Sequence, residues 1–190
     1  LTPPEYNGIY AGMKKKQVPV RSAVVAFGFG VPYSIASNII IARIASEKAR
    51  ALGEPGKPVA VFTQQDVQLP SDIPVFYTQE TPGDPPPTLR IVRELVIWML
   101  WNGVNEIWIV AAEPHLWRCV RDLERVLRAT KAFDVQINFG VCKEIYKEPK
   151  GVWYCSDSTQ KRTVSKWEWF WKYDIVLQVM PWWIYKRIAS

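Results

Sequence analysis

Apolar positions in this chain fall into two alternating patterns. Short runs of β-branched, aliphatic and aromatic residues occur at Ala23 to Phe27, Pro58 to Thr63, Ile73 to Tyr77, Ile107 to Ala111 and near Val135 to Phe139. Runs of this length, bounded by polar, Gly or Pro residues, predict buried strands. Between them lie longer stretches with helical spacing. One extends from about Ser37 to Leu52, with Gly53 as its stop, and one from Thr88 to Trp101, ended by Asn102-Gly103. In a third, Leu116, Val120, Leu123 and Leu127 form one helix face. On the Thr88 helix, Leu89, Val92, Val96 and Met99 lie on one flank and Ile91, Leu95 and Trp98 on another, which predicts burial against both a sheet and a neighbouring helix.

Strands alternating with helices predict an α/β chain: a Rossmann-like three-layer α/β/α arrangement with a mostly parallel sheet of four or five strands and right-handed crossovers. The chain reads as one domain, residues 1–190, with an irregular lead-in (1–20), an α/β core (22–140) and a C-terminal extension (141–190). Within the extension, Lys143 to Ser158 reads as turns and short β structure around Pro149-Lys150-Gly151. The tail from Thr163 is aromatic-rich and helical. It holds Trp167, Trp169, Trp171, Trp182 and Trp183, and Pro181 is expected to split it in two. Three readings of the tail stand together: packing of Trp167, Phe170, Trp171, Ile175 and Leu177 on the sheet edge, an interfacial segment on a membrane surface, or a subunit contact.

Composition narrows the function classes. A net charge of +6 and a pI near 9.2 suit a protein that meets anions. The basic residues are scattered and the longest run is Lys14-Lys15-Lys16, so specific nucleic-acid binding is not expected. With one histidine and no Cys-x-x-Cys pair, a structural zinc site lacks ligands at usable spacing, and no residue is assigned to a metal. Cys119 reads as core, and a Cys142–Cys155 disulfide is left open. No apolar run is long enough for a membrane span, so the chain reads as cytoplasmic or membrane-associated. It starts at Leu1, which is compatible with a removed anchor or signal.

Candidate chemistry collects where strands give way to turns. Gly28-Phe29-Gly30 follows the first strand, as in phosphate-binding units, but Tyr33 stands where the dinucleotide fingerprint has its third glycine. The second strand ends in Thr63-Gln64-Gln65-Asp66, and Gln64 is a ligand candidate there. After the fourth strand, Pro114 opens a helix with His115 and Arg118 on its first turn, beside free N–H groups that favour an anion. His115 is read as an acid/base or an anion ligand, mostly neutral at pH 7, and Arg118 as a bidentate clamp for phosphate or carboxylate. The proline-rich loop from Glu80 to Pro87 is a candidate lid or binding loop, with Glu80 as a catalytic carboxylate and Asp84 as a ligand group; the pair could supply a carboxylate base or a Mg²⁺ ligand. No Ser or Cys nucleophile accompanies His115, which disfavours covalent catalysis.

This ordered set resembles the bacterial YdcF/ElyC/SanA-like family, whose members have no agreed reaction. The similar positions are Gly28 and Gly30, then Asn38 and Arg43, then Thr88-Leu89-Arg90-Ile91-Val92-Arg93, then His115-Leu116-Trp117-Arg118. The resemblance covers about Ser22 to Leu127, and Gly83 to Arg93 is most like the SanA branch. The family has a Ser-Gly-type turn where this chain has Thr63-Gln64-Gln65, and glutamine does not permit the close backbone approach that glycine does. The resemblance implies a ligand pocket at the carboxyl edge of the sheet, a link to the cell envelope, and nucleotide-like ligands such as S-adenosylmethionine. It makes Gly28, Gly30, Asn38, Arg43, Thr88, Arg93 and Arg118 ligand-binding candidates, with structural roles standing beside binding for Asn38, Arg43 and Arg93. Whether the protein is an enzyme is left open. The main expectation is a site for an anionic or nucleotide-like small molecule. The alternative is a non-catalytic scaffold that meets a membrane or partner, or a second copy of itself, through the tryptophan-rich segment.

Overall fold

The computed structural model describes residues 21–81, 84–129 and 137–189; the expected lead-in, Lys14 to Lys16, Gly83, Val135 and Gln136 lie outside them. Five strands form one parallel sheet: β1 (Ser22–Phe27), β2 (Val61–Thr63), β3 (Val75–Tyr77), β4 (Glu106–Ala111) and β5 (Asn138–Val141). Their order is β3-β2-β1-β4-β5. The helices are α1 (Ala36–Leu52), α2 (Thr88–Trp101) and α3 (Glu113–Ala129). Right-handed crossovers in that order put α1 on one face and α2 and α3, which pack together, on the other. The fold is therefore the three-layer Rossmann-like α/β arrangement.

Central strands that are covered on both faces need apolar side chains at every position rather than at alternate ones. Ala23 to Phe27 on β1 and Ile107, Ile109, Val110 and Ala111 on β4 have no exposed surface. Each large side chain buried this way contributes roughly 1.5–3 kcal/mol. In register, Ala26 pairs with Val110 and Phe27 with Ala111, so β1 and β4 end side by side. The chain leaves β1 toward β2 on one side, and β4 lies on the other. This is the switch in strand order at which open α/β sheets form a ligand crevice.

The extension corrects two expectations and answers one question that the sequence leaves open. Lys143 to Trp153 forms 3-10 turns at Lys143–Lys147 and Lys150–Trp153, not β structure. Pro149 has no N–H to give a ladder, and this stretch lies past the edge strand β5. Cys142 and Cys155 are free thiols, as is Cys119. In the tail, Trp167, Phe170 and Trp171 are exposed, whereas Trp169 is the tryptophan turned inward. The tail comprises α4 (Lys166–Trp169), a π-turn (Phe170–Asp174), α5 (Ile175–Val179) and α6 (Trp182–Ile188). Pro181 is the N-cap of α6, so the break falls where its ring and missing N–H require it.

Candidate ligand site

Above the ends of β1 and β4 lies a cavity of about 580 Å³. That volume is within the range of small-molecule sites, roughly 300–1,000 Å³. From the core, Gly28, Gly30, Gln64 and Thr88 line it, together with Asp84, His115 and Arg118. The C-terminal extension supplies the remaining wall, with Gln160, Lys161, Arg162 and Thr163 as its polar part and Trp169, Leu177 and Tyr185 as its apolar part.

The glycine turn is closed by its own structure. Gly28 N–H donates to Gln64 Oε1 at 2.8 Å, Phe29 N–H to Asn38 Oδ1 at 2.9 Å, and Val31 N–H to Ser158 Oγ at 3.3 Å. Three of the donors that would cradle a phosphate in a dinucleotide fold are thus already engaged. Asn38 also donates from Nδ2 to the carbonyls of Gly30 and Pro32 and does not line the cavity, so it fastens the turn. Gly30, at φ 95°, has a separate reason to be glycine. A Cβ there would lie 2.7 Å from Ile35 Cδ1 and 2.8 Å from both Ser158 Oγ and Thr163 Oγ1. Its bare backbone is the seat for the extension, which is also tied down by Thr159 N–H donating to Val31 O at 2.8 Å.

The fourth strand delivers the charged part of the site. β4 ends at Ala111, and α3 begins with Pro114 in its first turn, where a missing N–H costs nothing. His115 and Arg118, three residues apart, therefore point the same way. Both are buried, at 5% and 7% exposure, yet both border the cavity. An Arg118 terminal N–H donates to His115 Nδ1 at 3.0 Å. A guanidinium can only donate, so Nδ1 carries no proton and the neutral ring holds its proton on Nε2. Nε2 lies 3.4 Å from Thr88 Oγ1. Burial, and then the nearby charges of Arg118 and Arg162, hold the imidazole well below the usual histidine range. The expected neutral state stands, but its main cause is burial rather than the helix terminus. The ring is thereby set to donate a hydrogen bond rather than to accept a proton. Phe29 and Trp169 enclose it, at centroid distances of 6.1 and 5.6 Å, and Trp169 also faces the Arg118 guanidinium at 5.3 Å.

Arg118 keeps its charge available. Asp122, fully buried one turn on, accepts from Tyr185 and from Arg121 Nε at 3.1 Å. Among the described residues no carboxylate comes within ion-pair distance of Arg118, and its buried Nε has no partner. Burial lowers the Arg118 pKa, opposed by Tyr185, Cys119 and Asp122, but guanidinium stays protonated. The apolar spacing on α3 identified Leu116 and Leu123 as buried, and they are. It did not anticipate that His115, Arg118 and Asp122 form a second buried stripe beneath the extension.

The other candidates lie elsewhere. Glu80 is not in the cavity wall. It accepts from Gln65 N–H, and burial raises its pKa against that bond's lowering. Its place is in fastening the turn after β2 to the loop before α2. Arg43 is on the exposed face of α1, paired with Glu47 at 3.3 Å and Glu148 at 2.5 Å. Arg93 is half-buried on α2, away from the cavity wall. Sequence reasoning did not identify Lys161, Arg162, Thr163, Trp169 or Tyr185. The one available signal was the density of tryptophan in the tail. Asp84 is the carboxylate in the wall, and among the described residues no group of three His, Cys, Asp or Glu side chains is arranged to hold a metal. Comparison of the chain with protein-family models, with curated proteins and with solved structures finds no match.

Proposed function

We propose that the protein binds an anionic small molecule at the carboxyl edge of its sheet, between Arg118 and the C-terminal extension. One observation carries this reading: a guanidinium buried in a cavity wall, with no carboxylate against it and one N–H without a partner among the described residues. A buried unpaired donor costs roughly 1–3 kcal/mol, and more where it is charged. A bound anion would remove that cost. Lys161 and Arg162 add positive charge to the rim, and His115 Nε2–H and Thr88 offer neutral polar contacts. Trp169, Phe29 and Tyr185 supply flat apolar surface. Such a site suits a ligand with an anionic end and a ring or apolar body, the class that includes nucleotides and S-adenosylmethionine. The resemblance to the YdcF/SanA-like family, and with it a role in cell-envelope metabolism, is consistent with this reading. Because the Gly28, Phe29 and Val31 N–H groups are already bonded, the anion is assigned to the Arg118 side of the cavity.

A calorimetric titration with inorganic phosphate, ATP and S-adenosylmethionine tests the assignment. At least one probe should bind the wild type, and Arg118→Lys, which keeps charge but loses the planar fork, should weaken it by roughly tenfold or more. Thr88→Val serves as a second variant with little structural cost and should weaken binding by a smaller factor. Absence of binding by every probe, or equal affinities in wild type and Arg118→Lys, would overturn the proposal.

A further inference from the structure

The tail carries an apolar surface that the cavity does not use. Lys166 to Val179 is one continuous helix, made of α4, the π-turn and α5 in succession. Trp167, Trp171, Ile175 and Val179 recur along it every four residues. In a regular α-helix of about 3.6 residues per turn, such a repeat drifts around the axis. The wider π-turn between Phe170 and Asp174 absorbs part of that drift and keeps the repeat on one side. Trp167 is 67% exposed, Trp171 51% and Val179 76%. The rings of Trp167 and Phe170 each contact that of Trp171, at 5.3 and 5.4 Å, so the surface is continuous rather than scattered. On α6, Trp183 and Ile188 are exposed apolar side chains as well.

Charge identifies the partner. Lys166 on α4 and Lys186 and Arg187 on α6 are exposed. The two acids of the segment, which would oppose an anionic partner, are not free on its surface. Asp174 is buried and accepts from Trp117 Nε1 at 2.6 Å, and Glu168 is half-buried. Tryptophan with lysine and arginine is the composition of a segment that lies in a bilayer interface. Lysine is depleted at protein–protein contacts, and a second copy of this face would bring like charges together. No described helix is long and apolar enough to cross a membrane, so the contact is peripheral.

We propose that the exposed face of α4 to α6 docks the protein on an anionic lipid surface, with Trp167, Trp171 and Trp183 at the headgroup level and Lys166, Lys186 and Arg187 against the lipid charges. Co-sedimentation with vesicles of phosphatidylcholine, with and without a minority of phosphatidylglycerol, tests it. The wild type should pellet with the anionic vesicles and its fluorescence should be quenched by brominated lipid. Trp167→Ser with Trp171→Ser, and separately Lys166→Glu with Arg187→Glu, should each reduce partitioning by roughly tenfold while melting temperature and cavity titrations stay unchanged. The proposal fails if the wild type stays in the supernatant, or if both variants pellet like it. It fails equally if the tryptophan pair governs dimerisation in the ultracentrifuge with no vesicle binding.

Discussion

The floor and the roof of the cavity follow different rules. The floor is the edge of a sheet whose strands are apolar throughout, and its polar groups are mostly spent on one another: Gln64 on Gly28, Asn38 on Phe29 and Gly30. The roof, from Ser158 to Ala189, is short helices and turns held by a few buried polar ties and by aromatic rings. Tyr185 is tied to Asp122, Trp117 to Asp174, and Arg121 donates to Leu177 O at 3.1 Å. The roof carries apolar side chains on both its inner surface, as Trp169 and Tyr185, and its outer one, as Trp167 and Trp171. The lesson is that a widely shared sheet edge provides position, whereas the extension provides the shape and the rim charge of the site.

The strongest way to break that comparison is Trp169→Ala. This ring contacts Phe29 at 4.7 Å and covers His115, so its loss should cost about 3–5 kcal/mol. If roof and floor are separable, chemical denaturation should show the loss, hydrogen exchange should rise first in residues 158–189, and β1 and β4 should keep their protection. A uniform rise across the molecule would show that the two form one cooperative unit.

A smaller effect is expected from Gly30→Ala. Left-handed backbone costs about 1–2 kcal/mol for an L side chain, and the added Cβ meets Ser158 and Thr163 as well. The extension should loosen while the far end of the sheet is unaffected, which amide exchange at Val31 and Thr159 would read out.

The smallest effect is a slope. His115 has its folded pKa pushed below its unfolded value, so between the two the unfolded chain binds more protons. Its contribution to stability is therefore present in full above the unfolded value and lost as pH falls through that window, by up to about 1.4 kcal/mol per pH unit. Urea titrations from neutral pH downward should show this slope in the wild type, and His115→Gln should remove it. An unchanged slope in that variant would mean the imidazole titrates freely.

Much of the floor was legible before any coordinates. The runs at Ala23 and Ile107 gave central strands because continuous burial demands continuous apolarity, and Thr88–Trp101 has the predicted bounds because Pro87 and Asn102-Gly103 mark both ends. Other features resisted reading. Glu80, Arg43 and Arg93 had suitable chemistry, but a charged group's placement depends on which partner happens to lie nearby, and sequence spacing does not encode that. Trp167, Phe170 and Trp171 do share a face, but helical spacing does not say which face turns inward, and it is Trp169 on the other side that is buried.

Sequence alone determined the strand and helix alternation, the turn glycines and the pairing of His115 with Arg118 on one helical turn, because each depends on local backbone geometry or on the period of apolar burial. Tertiary structure alone decided that the guanidinium is buried with no carboxylate beside it among the described residues, that the Gly28, Phe29 and Val31 N–H groups are already bonded, and that the last thirty or so residues close the cavity. Those outcomes depend on contacts between separate elements, such as Gly28 with Gln64, Arg118 with Trp169 and Val31 with Ser158, and no local pattern carries that information.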